Sequence, residues 1–180
     1  GIHPAIHQKL AAMGVSLEHA VRSLRAVINN LRPVALEAGL QQALEAQLLE
    51  FTRVSGVRHR LDAAPGSFEG AANPAGLDAM LYRVMQESLS NVARHASATE
   101  VRVAVARDAS SLSLRVQDDG VGMALTSDGA DGSGYGLAGM RARAAAAGGS
   151  LSVESAPGAG TAILVIVPLV QHAPQSDEIR

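Results

Sequence analysis

The sequence has 180 residues, a formal net charge of −2 at pH 7, 2% aromatic residues and no cysteine. Its length allows one domain with a full core, or a smaller domain with an appendage. The near-neutral charge and the scarcity of aromatic rings argue against nucleic-acid binding. The lack of cysteine excludes disulfides, thiolate metal sites and cysteine nucleophiles. The longest apolar run, residues 162–167, is too short to cross a bilayer, so no membrane segment is predicted.

A heptad pattern marks the first 32 residues. From Ile6 onward, apolar residues follow at alternating steps of four and three, which is typical of a coiled coil. Pro4 suits the first turn of a helix, and Pro33 ends the helix after Arg32. At about 1.5 Å per residue this helix would be about 40 Å long. We therefore expect it to pack in a dimerisation bundle, with an ordinary core helix as the alternative.

Helices and strands alternate through the rest of the chain. Apolar residues recurring every three to four positions predict three helices, at residues 38–54, 77–95 and 137–147. Alternating or continuous apolar runs predict five strands, at residues 57–61, 101–105, 112–116, 151–153 and 161–167. The glycine-rich stretches 62–76 and 124–134 are expected to be loops, and the polar residues after Val170 a disordered tail. This order predicts an α/β fold.

An acidic turn follows directly on one of these strands, at Asp118-Asp119-Gly120-Val121-Gly122. A carboxylate at the end of a strand can accept a hydrogen bond from an amino group in a pocket. Gly120 and Gly122 tolerate positive φ and let a ligand approach the main chain. Taken alone, the alternative is an ordinary acidic turn.

The predicted helix 77–95 carries a polar set beside its core face. Glu87 and Asn91 are four residues apart and therefore share one face. A carboxylate beside an amide oxygen suits Mg²⁺, which keeps several water and phosphate ligands. Arg94 and His95 add donors for phosphate at the same end. A solvated polar face is the alternative.

Two further glycine-rich turns follow. Residues 132–136 lead into a helix, whose first N–H groups can bind an anion. They match neither a Walker loop nor a Rossmann fingerprint, and a flexible linker is the alternative. Residues 158–161 place the Thr161 hydroxyl at the start of the last strand, where a simple hairpin turn is the alternative.

In this order, the four stretches resemble the ATP-binding domain of sensor histidine kinases, part of the gyrase, chaperone, histidine kinase and MutL superfamily. Residues 86–96, QESLSNVARHA, are similar to the family's asparagine box. Residues 118–122, 134–140 and 158–161 are similar to its first, second and third glycine boxes. The resemblance covers roughly residues 57–170.

The first residues extend the resemblance to one subfamily, the nitrate-sensor and lipid-fluidity-sensor type. Asn30-Leu31-Arg32-Pro33 followed by Leu36, Gly39 and Leu40 resembles the junction after the second helix of that subfamily's dimerisation hairpin. The short stretch 124–134, which lacks a phenylalanine box, also fits.

The resemblance implies a two-layer α/β sandwich of the Bergerat type, a mixed sheet with helices on one face, preceded by a long dimerisation helix. It implies three segments: part of the dimerisation helices at 1–35, the ATP-binding catalytic domain at 36–170 and a flexible tail at 171–180. Residues 124–134 would form the lid over the nucleotide.

It also implies roles for individual residues. Asp118 would accept the adenine amino group, and Asn91 would ligate the Mg²⁺ that bridges the phosphates. Glu87 stands where related hydrolases keep a water-activating base, and in a kinase it would orient the metal and its waters. Thr161 would steady a water beside the adenine. The other residues implied to contact ATP are Arg94, His95, Gly120, Gly122, Gly134, Tyr135, Gly136 and Leu137.

The implied activity is transfer of the ATP γ-phosphoryl group to a histidine, and onward to an aspartate of a response regulator, by a homodimeric full-length protein. The family's phosphoacceptor histidine is followed by an acidic residue, whereas His3, His7 and His19 are not. Since the chain also begins with Gly1, we expect a cytoplasmic fragment that lacks the acceptor helix and any N-terminal membrane anchor. It is expected to bind ATP without phosphorylating itself.

Other readings remain open at this point. One is an ATPase or an anti-sigma-factor serine kinase of the same superfamily, which the Leu-Arg-Pro junction disfavours. The other is a scaffold that dimerises without using nucleotide, which the intact Asn91 and Asp118 disfavour.

Overall fold

The computed structural model describes residues 33–69, 73–124 and 135–169. The predicted coiled-coil helix, nearly all of the predicted lid and the predicted tail lie outside the described residues. The chain divides into two compact units, residues 1–34 and 35–180, and the second contains the sheet. Within the described residues, no helix has the length and apolarity needed to span a membrane.

Three α-helices are described: α1 at Leu40–Ser55, α2 at Leu77–Asn91 and α3 at Tyr135–Ala146. A 3-10 turn, Val34–Ala38, precedes α1, and Gly39 with φ of 101° separates the two because a helix cannot continue through that conformation. The helix predicted at residues 77–95 is regular only as far as Asn91. Its backbone continues as a wider, π-helical turn at Val92–Ala96.

Five strands form one mixed sheet. They are β1 at Arg58–Ala63, β2 at Glu100–Arg107, β3 at Ser111–Asp118, β4 at Ser150–Ser155 and β5 at Thr161–Pro168. Their order in the sheet is β1-β2-β3-β5-β4, with β1 parallel to β2 and all other neighbours antiparallel. The first two residues of the predicted loop 62–76 therefore belong to β1.

The core lies between one face of the sheet and the helices. Leu112, Leu114 and Val116 are buried while their neighbours in β3 are more exposed, because successive strand residues point to opposite faces. Each such side chain contributes roughly 1.5–3 kcal/mol through burial. The helices contribute fully buried residues to the same core, among them Leu44, Leu48, Val84, Met85 and Met140. Asp118 is the next residue in the β3 alternation, so the fold places a carboxyl group at the end of the core face.

Candidate functional site

The carboxyl group of Asp118 is buried at the end of β3. The residue is only 7% exposed, and its Oδ1 accepts a hydrogen bond of 2.9 Å from the backbone N–H of Gly120. Burial raises the pKa of Asp118, while hydrogen bonds from the backbone of Gly120 and Thr161 act in the opposite direction. A group of this kind can accept a hydrogen bond from a ligand with little competition from water.

The neighbouring carboxylate of Asp119 has a different environment. Its Oδ1 accepts hydrogen bonds from the backbone N–H groups of Thr99 at 2.7 Å and Glu100 at 2.9 Å, and its Oδ2 accepts one from the Thr99 hydroxyl at 2.6 Å. These bonds lower the pKa of Asp119 to about 2. The two adjacent carboxylates of the motif therefore serve separate purposes, and only Asp118 lies at the core face.

The glycines of the acidic turn pack against the protein's own backbone. A Cβ on Gly120 would lie closer than 3.0 Å to the carbonyl of Ala96, which also accepts a hydrogen bond of 2.7 Å from the N–H of Val121. A Cβ on Gly122, whose φ is 62°, would lie equally close to the carbonyl of Ala156 in the β4–β5 hairpin. These contacts explain why side chains are excluded here. The predicted contacts of Gly120 and Gly122 with a nucleotide stay a prediction.

The start of β5 is joined to the same turn. Gly160, with φ of 70°, lies against the carbonyl of Asp118. The Ser155 hydroxyl donates to the Gly160 carbonyl at 2.8 Å, so the Thr161 hydroxyl, 3.0 Å away, is left to donate to Ser155. The backbone N–H of Met123 also donates to Ser155, at 2.9 Å. Thr161 thus lies beside Asp118 with its hydroxyl proton directed to Ser155, which leaves its oxygen as an acceptor.

Helix α2 brings Glu87 to the first turn of α3. A Cβ on Gly136 would lie closer than 3.0 Å to Oε1 of Glu87, so the carboxylate rests over the backbone of this glycine. Leu137, the next residue, is buried in the core and fixes this turn of α3. Asn91 is the last residue of α2 and lies one helical turn beyond Glu87.

The π-helical turn carries the two predicted phosphate donors. Arg94 and His95 are both exposed, and the Arg94 guanidinium donates to the Ser90 hydroxyl at 2.5 Å. The turn ends at Ser97, whose φ is 49°. Tyr135 begins α3, while Gly134 lies outside the described residues.

The structure therefore brings predicted residues together in two groups. Asp118 is hydrogen-bonded to the backbone of Gly120 and Thr161, Gly122 lies against Gly160, and Glu87 touches Gly136. The sequence did not predict that the Asp119 carboxylate binds the chain at the start of β2. Nor did it predict that the Ser155 hydroxyl forms several hydrogen bonds near Thr161. No role was predicted for Asp119, because no local pattern marked Thr99 as its partner.

Comparison with known proteins identifies the family. Residues 76–171 match the sequence profile of the histidine kinase-, DNA gyrase B- and HSP90-like ATPases, a match that spans more than half of the chain. The chain belongs to this family. The superfamily predicted from the four motifs is confirmed.

Curated relatives extend the match toward the N-terminus. The sensor histidine kinase LiaS of Bacillus subtilis is 38% identical over 151 residues, which cover 83% of this chain and 40% of the relative. The sensor histidine kinase MctS of Rhizobium johnstonii is 34% identical over 163 residues, which cover 88% of this chain and 34% of the relative. The chain thus spans well under half the length of these relatives.

Solved structures confirm the predicted α/β sandwich. The histidine kinase domain of the Erythrobacter litoralis EL346 blue-light activated histidine kinase aligns with a TM-score of 0.58 at 22% identity, covering 74% of this chain and 61% of that one. The Acinetobacter baumannii histidine kinase AdeS aligns with a TM-score of 0.58 at 18% identity, covering 95% of this chain and 87% of that one.

Proposed function

We propose that this chain is the ATP-binding catalytic core of a sensor histidine kinase. The observation that carries the proposal is the buried carboxyl group of Asp118, held at the end of β3 in a domain of the family just named. Curated relatives that are named sensor histidine kinases and match beyond the family domain support the kinase rather than another activity of the family.

In this proposal Asp118 recognises the adenine base. Its carboxylate accepts a hydrogen bond from the adenine amino group, while Gly120 N–H keeps the carboxyl group oriented. Removing a buried acceptor that pairs with a ligand costs about 2–3 kcal/mol, or roughly tens to hundreds-fold in affinity. Thr161 supports this end of the pocket through a water molecule that donates a hydrogen bond to its hydroxyl oxygen.

Helix α2 holds the metal end of the site. The side chains of Glu87 and Asn91 make no hydrogen bond or ion pair with any other residue that the structure describes, so their oxygens are available. Nor do the described ranges contain a cluster of three or more acidic or histidine side chains that would bind a metal alone. One amide and one carboxylate fit Mg²⁺, which takes its remaining ligands from phosphate and water. When bound, Mg²⁺ neutralises charge on the phosphates.

Donors for the phosphates surround this end. Arg94 and His95 follow Asn91 in the π-helical turn, and the N–H groups of the first turn of α3, at Tyr135–Leu137, are free of helical partners. The glycine at position 136 lets that backbone approach closely. These groups would orient the γ-phosphoryl group toward its acceptor.

The acceptor and later partners belong to the same proposal. The phosphoryl group passes to a histidine of the dimerisation helices in a homodimer, and from there to an aspartate of a cytoplasmic response regulator. The prediction that this chain does not phosphorylate itself is checked by incubation with radiolabelled ATP, where stable labelling of the chain would contradict it.

Calorimetric titration of ATP, with and without Mg²⁺, tests the proposal. We expect magnesium-dependent binding that Asp118→Asn weakens by roughly tens to hundreds-fold. The Gly120 N–H engages the single amide oxygen of the Asn, so its NH2 group would face the adenine amino group, a donor against a donor. The control is Asp62→Asn, which changes an exposed carboxylate paired with Arg60 on the sheet and should leave affinity unchanged. ATP that fails to bind under every condition contradicts the proposal and favours a scaffold.

A further inference from the structure

Asp119 joins the acidic turn to the start of β2. Both of its carboxylate oxygens are engaged, with three bonds of 2.6–2.9 Å to Thr99 and Glu100. Its own backbone N–H adds a longer bond of 3.3 Å to the carbonyl of Glu100. Charge-assisted bonds of this length are stronger than neutral ones. Although the residue is exposed, its side chain is therefore held in one orientation.

This anchor determines where Asp118 points. Successive residues of a strand project to opposite faces, so a shift of one residue would exchange the positions of Asp118 and Asp119. The turn is also fixed on its other side, by the bond from Val121 to Ala96 and by the contact of Gly160 with the Asp118 carbonyl. Those two links involve backbone atoms, whereas Asp119 anchors the turn through its side chain and lies directly beside the base-reading group.

The same anchor connects the two ends of the proposed site. Thr99 follows closely on the π-helical turn Val92–Ala96, which carries Arg94 and His95 directly after Asn91. Binding Asp119 to Thr99 and Glu100 therefore fixes the end of α2 relative to the end of β3. One end holds the metal and phosphate ligands, and the other holds the carboxylate that reads the base.

We propose that Asp119 is a positioning residue that sets the adenine selectivity of the site by holding Asp118 toward the base. This inference rests on the proposed function, because it assumes that Asp118 accepts the adenine amino group. Asp119 touches neither base nor phosphate in this account. Its effect is carried by the hydrogen bonds to Thr99 and Glu100.

The test compares two probes, ATP and purine riboside 5′-triphosphate, which lacks the amino group. The wild-type chain should prefer ATP in calorimetric titrations with Mg²⁺. Asp119→Ala removes all three acceptor bonds, and we expect it to lower the preference about tenfold, mainly by weakening ATP binding. A purely structural role would weaken both nucleotides equally and leave their ratio unchanged.

Two conservative variants sharpen the comparison. Asp119→Asn keeps an oxygen that can accept from both backbone N–H groups, so it should restore most of the preference. Thr99→Val removes only the hydroxyl bond to Oδ2 and should have a smaller effect than Asp119→Ala. Circular dichroism establishes that each variant is folded. If the Ala variant is not, Thr99→Val decides the question, since an unchanged preference in it would overturn the role of Asp119.

The outcomes separate the two proposals. A wild-type chain that does not bind ATP overturns the proposed function and this inference with it. A wild-type chain that binds both probes equally shows that Asp118 does not recognise the amino group, and overturns the inference while ATP binding stands. A wild-type chain that prefers ATP, with the same preference retained in Asp119→Ala, overturns only the role of Asp119. Loss of the preference in the Ala variant with its recovery in the Asn variant supports that role.

Discussion

Replacing Gly160 by alanine should destabilise the domain through two separable effects. The residue has φ of 70°, and a side chain there costs about 1–2 kcal/mol in the left-handed conformation. The added Cβ would also lie closer than 3.0 Å to the Asp118 carbonyl, which belongs to the backbone and cannot rotate away. Such overlap costs about 1–3 kcal/mol. The sum, about 2–5 kcal/mol, is a large share of the roughly 5–15 kcal/mol that stabilises a typical domain.

The same hairpin offers a matched control. Gly158 has φ of 78°, but no heavy atom lies within 4 Å of the position that a Cβ would occupy, so Gly158→Ala carries only the conformational cost. Urea unfolding followed by far-ultraviolet circular dichroism measures both variants. We expect Gly160→Ala to lose about 1–3 kcal/mol more than Gly158→Ala. Equal losses would refute the packing of Gly160 beneath the Asp118 carbonyl.

Three further predictions concern α2 and Asp118. Gly136→Ala should displace the flexible Glu87 carboxylate, weakening magnesium-dependent ATP binding in the wild type but much less in a Glu87→Ala background. Gln47→Ala should cost about 1–3 kcal/mol in urea unfolding, because it removes the acceptor of two hydrogen bonds, from the Tyr82 hydroxyl at 2.9 Å and from the Gln86 amide at 3.1 Å. Asp118→Asn should raise the free energy of unfolding at pH 7, because burial raises the pKa of Asp118 and so penalises its charged form in the folded state.

Each of these has an outcome that contradicts it. Equal effects of Gly136→Ala in both backgrounds would show that Glu87 and Gly136 do not interact. If Gln47→Ala costs as much in a Tyr82→Phe background as in the wild type, the hydroxyl bond contributes nothing. For Asp118 the gain should shrink as the pH falls through the raised pKa and below the ordinary pKa of an aspartate, since the folded and unfolded chains are then both protonated. A gain that is independent of pH would exclude burial of charge as its cause.

The sequence by itself determined the elements and the family. Alternation in β3 and helical periodicity in α2 are local properties of the chain, so burial could be read from them before any contact was known. All five strands are present, with ends that differ by up to two residues, as at β2, predicted at 101–105 and observed at Glu100–Arg107. The four motifs were sufficient to predict the ATPase family because the residue types and order of the motifs are also properties of the sequence.

The tertiary structure alone decided how the acidic turn is held. Asp118 and Asp119 look equivalent in the sequence, yet one is buried with a raised pKa and the other is hydrogen-bonded with a pKa of about 2. The difference comes from Thr99 and from Gly160, which lie in the connections directly before β2 and β5. A contact between segments distant in sequence produces no recurring residue pattern in either segment, so neither segment predicts it. For the same physical reason, no local pattern predicted the widening of α2 at Val92–Ala96, where the Ala96 carbonyl bonds to the turn after β3.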